Sequence, residues 1–519
     1  MENRSRFAVL RPARVPSNIA KRVVAKLALF LCVSLAVGLS LVRTASAVAA
    51  TLTLSSTSGP PSTNLKVSGG GFPASTAVDI YFDTTDMALA VTSGTGAFSG
   101  IAIQVPASAV PGTHWVTGVA RGTSGEAEQA SFLVQANWAQ FHYSPPHKSV
   151  NPYENVLSPT TVGSIDLHWS YATDSGFGLS AAAVVNGVVY VGDLGGTFYA
   201  LNANTGTLLW EYLTGSLVQS SPAVANGVVY FGSTNKNLYA LNAKTGALMW
   251  KYTAGNEFNS SPAVANGVVY VGSDDNYLYA LKASTGALLW QYPTGASIDS
   301  SPAVANGVVY VGSNDNNLYA LNASTGAFLW KYTTGGFVFS SPAVANGVVY
   351  VTSDDLLLYA INANSGALLW KVGTFSPYSS PAVANGVVYV GADDGYLYAV
   401  ALPAPSGPAV LWKFLTQGSA YSSPTVANGV VYIGSSNNVN NNVYAVGART
   451  GSLLWQYTTG NVVLPPPVVA NGVVYVGSYD HNFYAFDETG GMMAKKFRAP
   501  ARPDPRLLRP DLSLQPSQP

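Results

Sequence analysis

An Asn-Gly-Val-Val-Tyr core recurs eight times between residues 180 and 478, its Asn-Gly pairs beginning at Asn186, Asn226, Asn266, Asn306, Asn346, Asn385, Asn428 and Asn471. The steps between them are 40, 40, 40, 40, 39, 43 and 43 residues. A steady period near 40 confines the chain to a stack of like units. No unit can bury both of its faces alone, so neighbours must cover them.

Residues 220–252 show what one unit is built to be. Ala223-Val224-Ala225 is a short apolar run, and Asn226-Gly227 follows as a two-residue hairpin signal, because a type I′ turn needs positive φ at both centres. Val228 to Phe231 is β-branched and aromatic and predicts a buried strand. Ser233 to Asn237 is turn material, Leu238 to Leu241 a third strand, and Thr245-Gly246 the next turn. Ala247 to Tyr252 is a fourth strand carrying Trp250. Four short antiparallel strands without a helical period predict one propeller blade.

Closure can be counted. Seven repeats carry a Trp strand after a Thr-Gly or Ser-Gly turn, with Trp210, Trp250, Trp290, Trp330, Trp370, Trp412 and Trp455. The eighth, Pro467 to Gly490, has none, and one surplus Trp strand around Trp169 precedes the first repeat. Residues 165–171 are therefore expected to complete the last blade and leave no open sheet edge. The expected fold is all-β, an eight-bladed propeller over 165–490.

The segment Ala240-Leu-Asn-Ala-Lys-Thr-Gly-Ala-Leu-Met-Trp250 resembles the docking motif of the pyrroloquinoline-quinone (PQQ) repeat propellers, Ala-x-Asp-x-x-Thr-Gly-x-x-x-Trp. It recurs at 200–210, 280–290, 320–330 and 360–370, with Asn or Lys at the Asp position. The stretch from Trp138 through Asn151-Pro-Tyr-Glu154 resembles the lead-in of such propellers. The resemblance implies that each Trp docks on the next blade. The family holds quinoprotein dehydrogenases, with PQQ and Ca²⁺ in the funnel, and cofactor-free scaffolds such as an outer-membrane assembly propeller. The dehydrogenases resemble one another in a pair of adjacent cysteines, whereas this chain has only Cys32. The resemblance therefore implies the scaffold type, without PQQ or metal.

Residues 1–26 are rich in Arg and Lys, Leu27 to Val42 is apolar, and Thr44-Ala-Ser-Ala47 offers small residues for cleavage. A signal peptide over 1–47 is expected, and with it a secreted or cell-envelope location. No later run is long enough to span a membrane. Without the leader the net charge is −7, and without the tail after Gly490 the body stands at −11. An acidic body without a basic stripe argues against nucleic acid.

Residues 48–135 read as a separate unit with strands at Leu52–Leu54, Leu65–Val67, Val78–Phe82, Ala97–Val105, His114–Val119 and Ala130–Val134. That spacing predicts an immunoglobulin-like sandwich. Gly59-Pro-Pro and Val67-Ser-Gly-Gly-Gly-Phe-Pro73 resemble the opening of bacterial surface modules of the TIG kind. Residues 136–164 are a linker, and the Pro- and Arg-rich segment 491–519 is expected to be disordered.

Few groups offer catalytic chemistry. The acidic turns Asp274-Asp275, Asp315, Asp354-Asp355 and Asp393-Asp394 sit where Asx residues shape turns, with no downstream Glu to complete a calcium loop. His142 and His147 flank two prolines in a loop and lack further metal ligands. No catalytic arrangement and no metal site is expected. What varies on this near-verbatim framework is the position seven before each Asn: Leu179, Gln219, Asn259, Asp299, Phe339, Tyr378, Tyr421 and Leu464. Nine before it stand, among others, Glu257 and Phe337. These loops open around the central funnel. The expected binding residues are Gln219, Glu257, Asn259, Asp299, Phe337, Phe339, Tyr378 and Tyr421, offered to a protein or glycan by a monomeric scaffold. Two alternatives stand beside it: a PQQ-dependent oxidoreductase with Glu257, Asn259 and Asp299 around a metal, and a purely structural surface protein.

Overall fold

The computed structural model describes residues 49–122, 126–373, 375–404, 407–436, 441–488, 499–511 and 513–515. The leader 1–47, with Cys32, lies outside the described residues.

Among the described residues from Asp166 to Asp487, successive four-stranded antiparallel sheets repeat one pattern, a β-propeller, and Val150–Asn151 adds a parallel fifth strand to the sheet of Thr425–Ala427. The unit at Asn266 is typical: Ala263–Ala265, Val268–Gly272, Tyr277–Lys282 and Leu288–Pro293, each paired with its predecessor. All eight Asn-Gly pairs have positive φ at both residues, as at Asn266 (50°) and Gly267 (78°), which is the hairpin geometry their chemistry favours. The outer strand of the last sheet comes from the front of the chain. Asp166–Ala172 pairs antiparallel with Asn482–Asp487, Trp169 opposite Ala485, where the surplus Trp strand was expected.

The core lies between sheets. Trp330 and Tyr310 of one sheet pack with Val349, Val351, Tyr359 and Ile361 of the next. The indole N–H of Trp290 donates to the Ala323 carbonyl at 3.0 Å, and the Tyr270 hydroxyl donates to the same oxygen at 3.0 Å. Trp169, Trp210, Trp250, Trp330 and Trp412 donate to the matching Ala carbonyl one sheet on, and Trp455 to the Ile165 carbonyl. The docked ring explains the glycine of the Thr-Gly turn. At Gly326, with φ of 70°, an added Cβ would sit 2.7 Å from the Trp290 ring.

The linker is more than a connection. The inner strand of each sheet turns an unpaired backbone edge toward the central channel, and such groups need partners. Residues 138–151 circle inside that channel and supply them. The amides of Val184, Val224, Val304, Val344, Val383 and Val426 donate to the carbonyls of Trp138, Ala139, Pro145, Pro146, Lys148 and Ser149, at 2.6–2.9 Å. The Val264 amide donates to Gln140 Oε1 at 3.0 Å, and Asn151 Nδ2 donates to the Val469 carbonyl at 2.9 Å. One loop thus plugs the channel. It also draws His142 and His147 together, fully buried, with ring centroids 5.8 Å apart.

Residues 51–134 form a two-sheet sandwich, one sheet of three strands and one of five, over the core of Val67, Val78, Ile80, Val116 and Phe132. It includes a strand, Thr85–Val91, absent from the sequence reading. Asp83, with φ of 53°, makes the tight hairpin into it. The sandwich side meets the propeller at two Asn-Gly turns: the Ala136 amide donates to Asn471 Oδ1 at 2.7 Å and Gln135 Nε2 to Asn186 Oδ1 at 2.8 Å. Part of the tail expected to lack structure, 499–511, lies against the sandwich, with the Arg502 guanidinium 4.5 Å from the Trp115 ring centre.

Candidate functional site: the mouth of the central channel

The Asn-Gly turns lie at one end of the inner strands. The residues seven before each Asn lie at the other end, on the face away from the sandwich contacts. There all eight varying positions, Leu179, Gln219, Asn259, Asp299, Phe339, Tyr378, Tyr421 and Leu464, line a single cavity of about 260 Å³. Phe141, from the plug, lines it as well. The period brings the eight together: equal register in equal sheets delivers each to the same radius.

Next inward, serines two residues further along the chain form a relay. The amides of Ala181, Ser221, Ser261, Ser301, Ser341 and Ser380 donate to Ser221, Ser261, Ser301, Ser341, Ser380 and Ser423 Oγ respectively, each at 2.9 Å. Pro466 occupies the same position in the last repeat and ends the relay. These bonds hold one inner strand to the next and make the floor rigid.

The mouth is not symmetric. Phe339 stacks on Tyr378 (centroids 5.2 Å, planes 20°), and Tyr378 meets Tyr421 edge-on at 5.7 Å. The adjacent arc carries Gln219, Asn259 and Asp299, and Leu464 and Leu179 complete the ring. Of the expected binding residues, Gln219, Asn259, Asp299, Phe339, Tyr378 and Tyr421 line the cavity, whereas Glu257 and Phe337 do not. Phe337 packs edge-on against Phe339 at 5.7 Å, outside the cavity.

Two residues of the acidic turn loops, Asp274 and Asn314, stand behind the lining and bond to it. Asn259 Nδ2 donates to Asp274 Oδ2 at 2.9 Å, and Asn314 Nδ2 donates to Asp299 Oδ2 at 2.7 Å. The turn work falls to the following residue of each loop. Asp275 and Asp315 accept from the Tyr279 and Tyr319 hydroxyls at 2.7 and 2.6 Å, and from the Gly255 and Gly295 amides at 2.7 Å. The signal was available: loops between second and third strands open on the same face as the mouth. Burial, and then Asp299 beside it, push the Asp274 carboxyl up to about 7. Among the described residues no group of three or more His, Cys, Asp or Glu could hold a metal ion.

A profile of the family described as outer membrane protein assembly factor BamB matches six overlapping stretches, 160–257, 214–297, 236–341, 277–403, 357–440 and 400–504. Solved structures with the same fold include quinohemoprotein alcohol dehydrogenase ADHIIG from Pseudomonas putida HK5, with a TM-score of 0.59 at 19% identity, covering 71% of this chain and 82% of that one. BamB from Moraxella catarrhalis gives a TM-score of 0.53 at 18% identity, covering 62% of this chain and 99% of that one. A europium-containing methanol dehydrogenase gives 0.58 at 13% identity, covering 68% and 98%. No curated protein matches in sequence. Identities this low carry the fold and not an activity.

Proposed function

The chain belongs to the PQQ-repeat family described as outer membrane protein assembly factor BamB, and we propose that it is a non-catalytic binding scaffold. In this reading an eight-bladed propeller, preceded by an immunoglobulin-like module, is exported as a monomer to the cell surface or envelope and offers its mouth to a protein or glycan. One observation carries it: the eight positions that vary on a repeated framework all converge on one cavity. A purely structural ring has no need of an aromatic arc beside a polar one. The sandwich contacts at Asn186 and Asn471 leave this face open.

The quinone alternative finds less support in the donor set. PQQ is a tricarboxylate, and the lining contains no Lys, Arg or His to meet it. Asp299, with Asp274 beside it, would repel it. Glu257, the third member of the metal set in that alternative, is not part of the lining.

Affinity capture from the native envelope, with Tyr378→Ala/Tyr421→Ala as the comparison, tests the reading. Aromatic anchors contribute ~2 kcal/mol or more at hot spots, so retention of the captured ligand should fall at least about tenfold. Normal capture by this variant, with loss in a variant of the sandwich, would move the function to residues 51–134. Dye reduction dependent on added PQQ and Ca²⁺ would overturn the non-catalytic reading.

A further inference from the structure

The polar arc of the mouth is unbalanced in its hydrogen-bonding groups. A carboxylate only accepts, so the Asn259 and Asn314 amide nitrogens are committed to Asp274 and Asp299. Among the described residues this leaves Asn259 Oδ1, Asn314 Oδ1 and Asp274 Oδ1 buried without a partner; the two amide oxygens only accept, and Asp274 accepts in its ionised form. Unpaired buried acceptors are uncommon and call for a donor. No Lys, Arg or His lines the cavity to supply one, so Asp299 in the lining, with Asp274 behind it, has no counter-charge there. On the repeats that follow Asp299 around the ring, the Phe339–Tyr378 stack and the edge-on Tyr421 present aromatic surface, which attracts a cation through the ring quadrupole. Leu464, Leu179 and the Phe141 floor give an alkyl stem somewhere to lie.

From these groups together we infer that the mouth binds an organic cation rich in N–H donors, a primary ammonium or a guanidinium, between the aromatic arc and Asp299. The inference rests on the reading of the mouth as a recognition surface and specifies its chemistry. Such a head group donates and never accepts, which is what the three orphan oxygens and the carboxylates require. It comes either from a Lys or Arg side chain of a peptide or from a free amine.

Isothermal titration of the full exported chain tests this with Nα-acetyl-lysine methylamide, Nα-acetyl-arginine methylamide, spermidine, choline and the neutral Nα-acetyl-norleucine methylamide. The ammonium or guanidinium probes should bind at least about tenfold more tightly than the norleucine analogue. Choline, which has no N–H, should bind more weakly than they do. Preference for the amino-acid amides points to a peptide, and preference for spermidine to a free amine. Asp299→Asn should abolish the discrimination, and Asp274→Asn carries the same test should that variant fail to fold. Equal binding of norleucine, unchanged binding in both Asp variants, or no cation binding at millimolar concentration would overturn the inference. A neutral sugar that binds and is lost in Tyr378→Ala would also overturn it, yet would leave the binding reading standing. Envelope capture indifferent to every mouth variant would instead remove the binding reading.

Discussion

The plug predicts acid lability. His142 and His147 are 1% and 0% exposed, and none of their four ring nitrogens has a hydrogen-bond partner among the described residues. Phe141 stacks on His142 at 3.9 Å. Burial holds both rings neutral: His147 is pushed down to about 3, and His142 lies well below its ordinary value, with His147 as a second cause. The unfolded chain, by contrast, takes up a proton at each histidine below pH ~6.5. Because the folded values are lowered, the unfolded state binds more protons as the pH falls, so this stability is complete above pH 6.5 and drains away below it. Each histidine loses ~1.4 kcal/mol per pH unit, so two lose about 5 kcal/mol between pH 6.5 and 4.5. That is a large share of the ~5–15 kcal/mol that holds a domain folded. Glu154, Asp193 and Asp274 are shifted upward and bend the curve the other way, so the comparison must be internal. We predict that His142→Leu/His147→Leu flattens the pH dependence of urea unfolding, read by Trp fluorescence, by about that amount over this interval. Parallel curves for the two proteins would mean that the imidazoles are hydrated or paired, and that the loop does not seal the channel.

Trp290→Ala should cost ~3–5 kcal/mol, the loss for a large core aromatic, and Gly326→Ala should also lower the melting temperature, because its Cβ meets the same indole. Deleting 136–171 removes the plug and the strand paired with Asn482–Asp487; size-exclusion chromatography should then show aggregation or calorimetry a marked fall in melting temperature, and an unchanged monomer would disprove the closure. Asp274→Asn removes a carboxyl whose folded value is raised to about 7. Its charged form opposes folding above that pH, so the variant should melt higher than the parent at pH 8, and the gain should shrink as the pH drops from 7 toward 4.

How much of this was legible depended on whether the period reached it. The eight mouth residues were found because a repeat places equal positions at equal radii, so a difference in sequence became a difference around one ring. Strand pairing followed from the same regularity, whereas the docking of each Trp on the next blade was what the family resemblance implied. The plug followed from nothing periodic. Its hydrogen bonds come mostly from backbone carbonyls at Trp138, Ala139, Pro145, Pro146, Lys148 and Ser149, side chains with no shared chemistry, and any chain of the right length and path could have supplied them. The histidines show the same limit, since a loop's path and not its residue spacing brought them within 5.8 Å. Asp274 and Asn314 were hidden for a different reason. They share a loop with Asp275 and Asp315, whose turn-forming bonds explain that residue type completely, and one sufficient explanation concealed a second role beside it. That role shows only when donors and acceptors are counted: Asp275 and Asp315 meet hydroxyls and amides, while Asn259, Asp274 and Asn314 each keep a buried oxygen without a partner among the described residues. An orphan acceptor is a cost that packing alone does not repay. Three of them beside an Asp299 with no counter-charge in the lining, on the one face the sandwich contacts leave open, are most economically read as half of an interaction whose other half is a ligand.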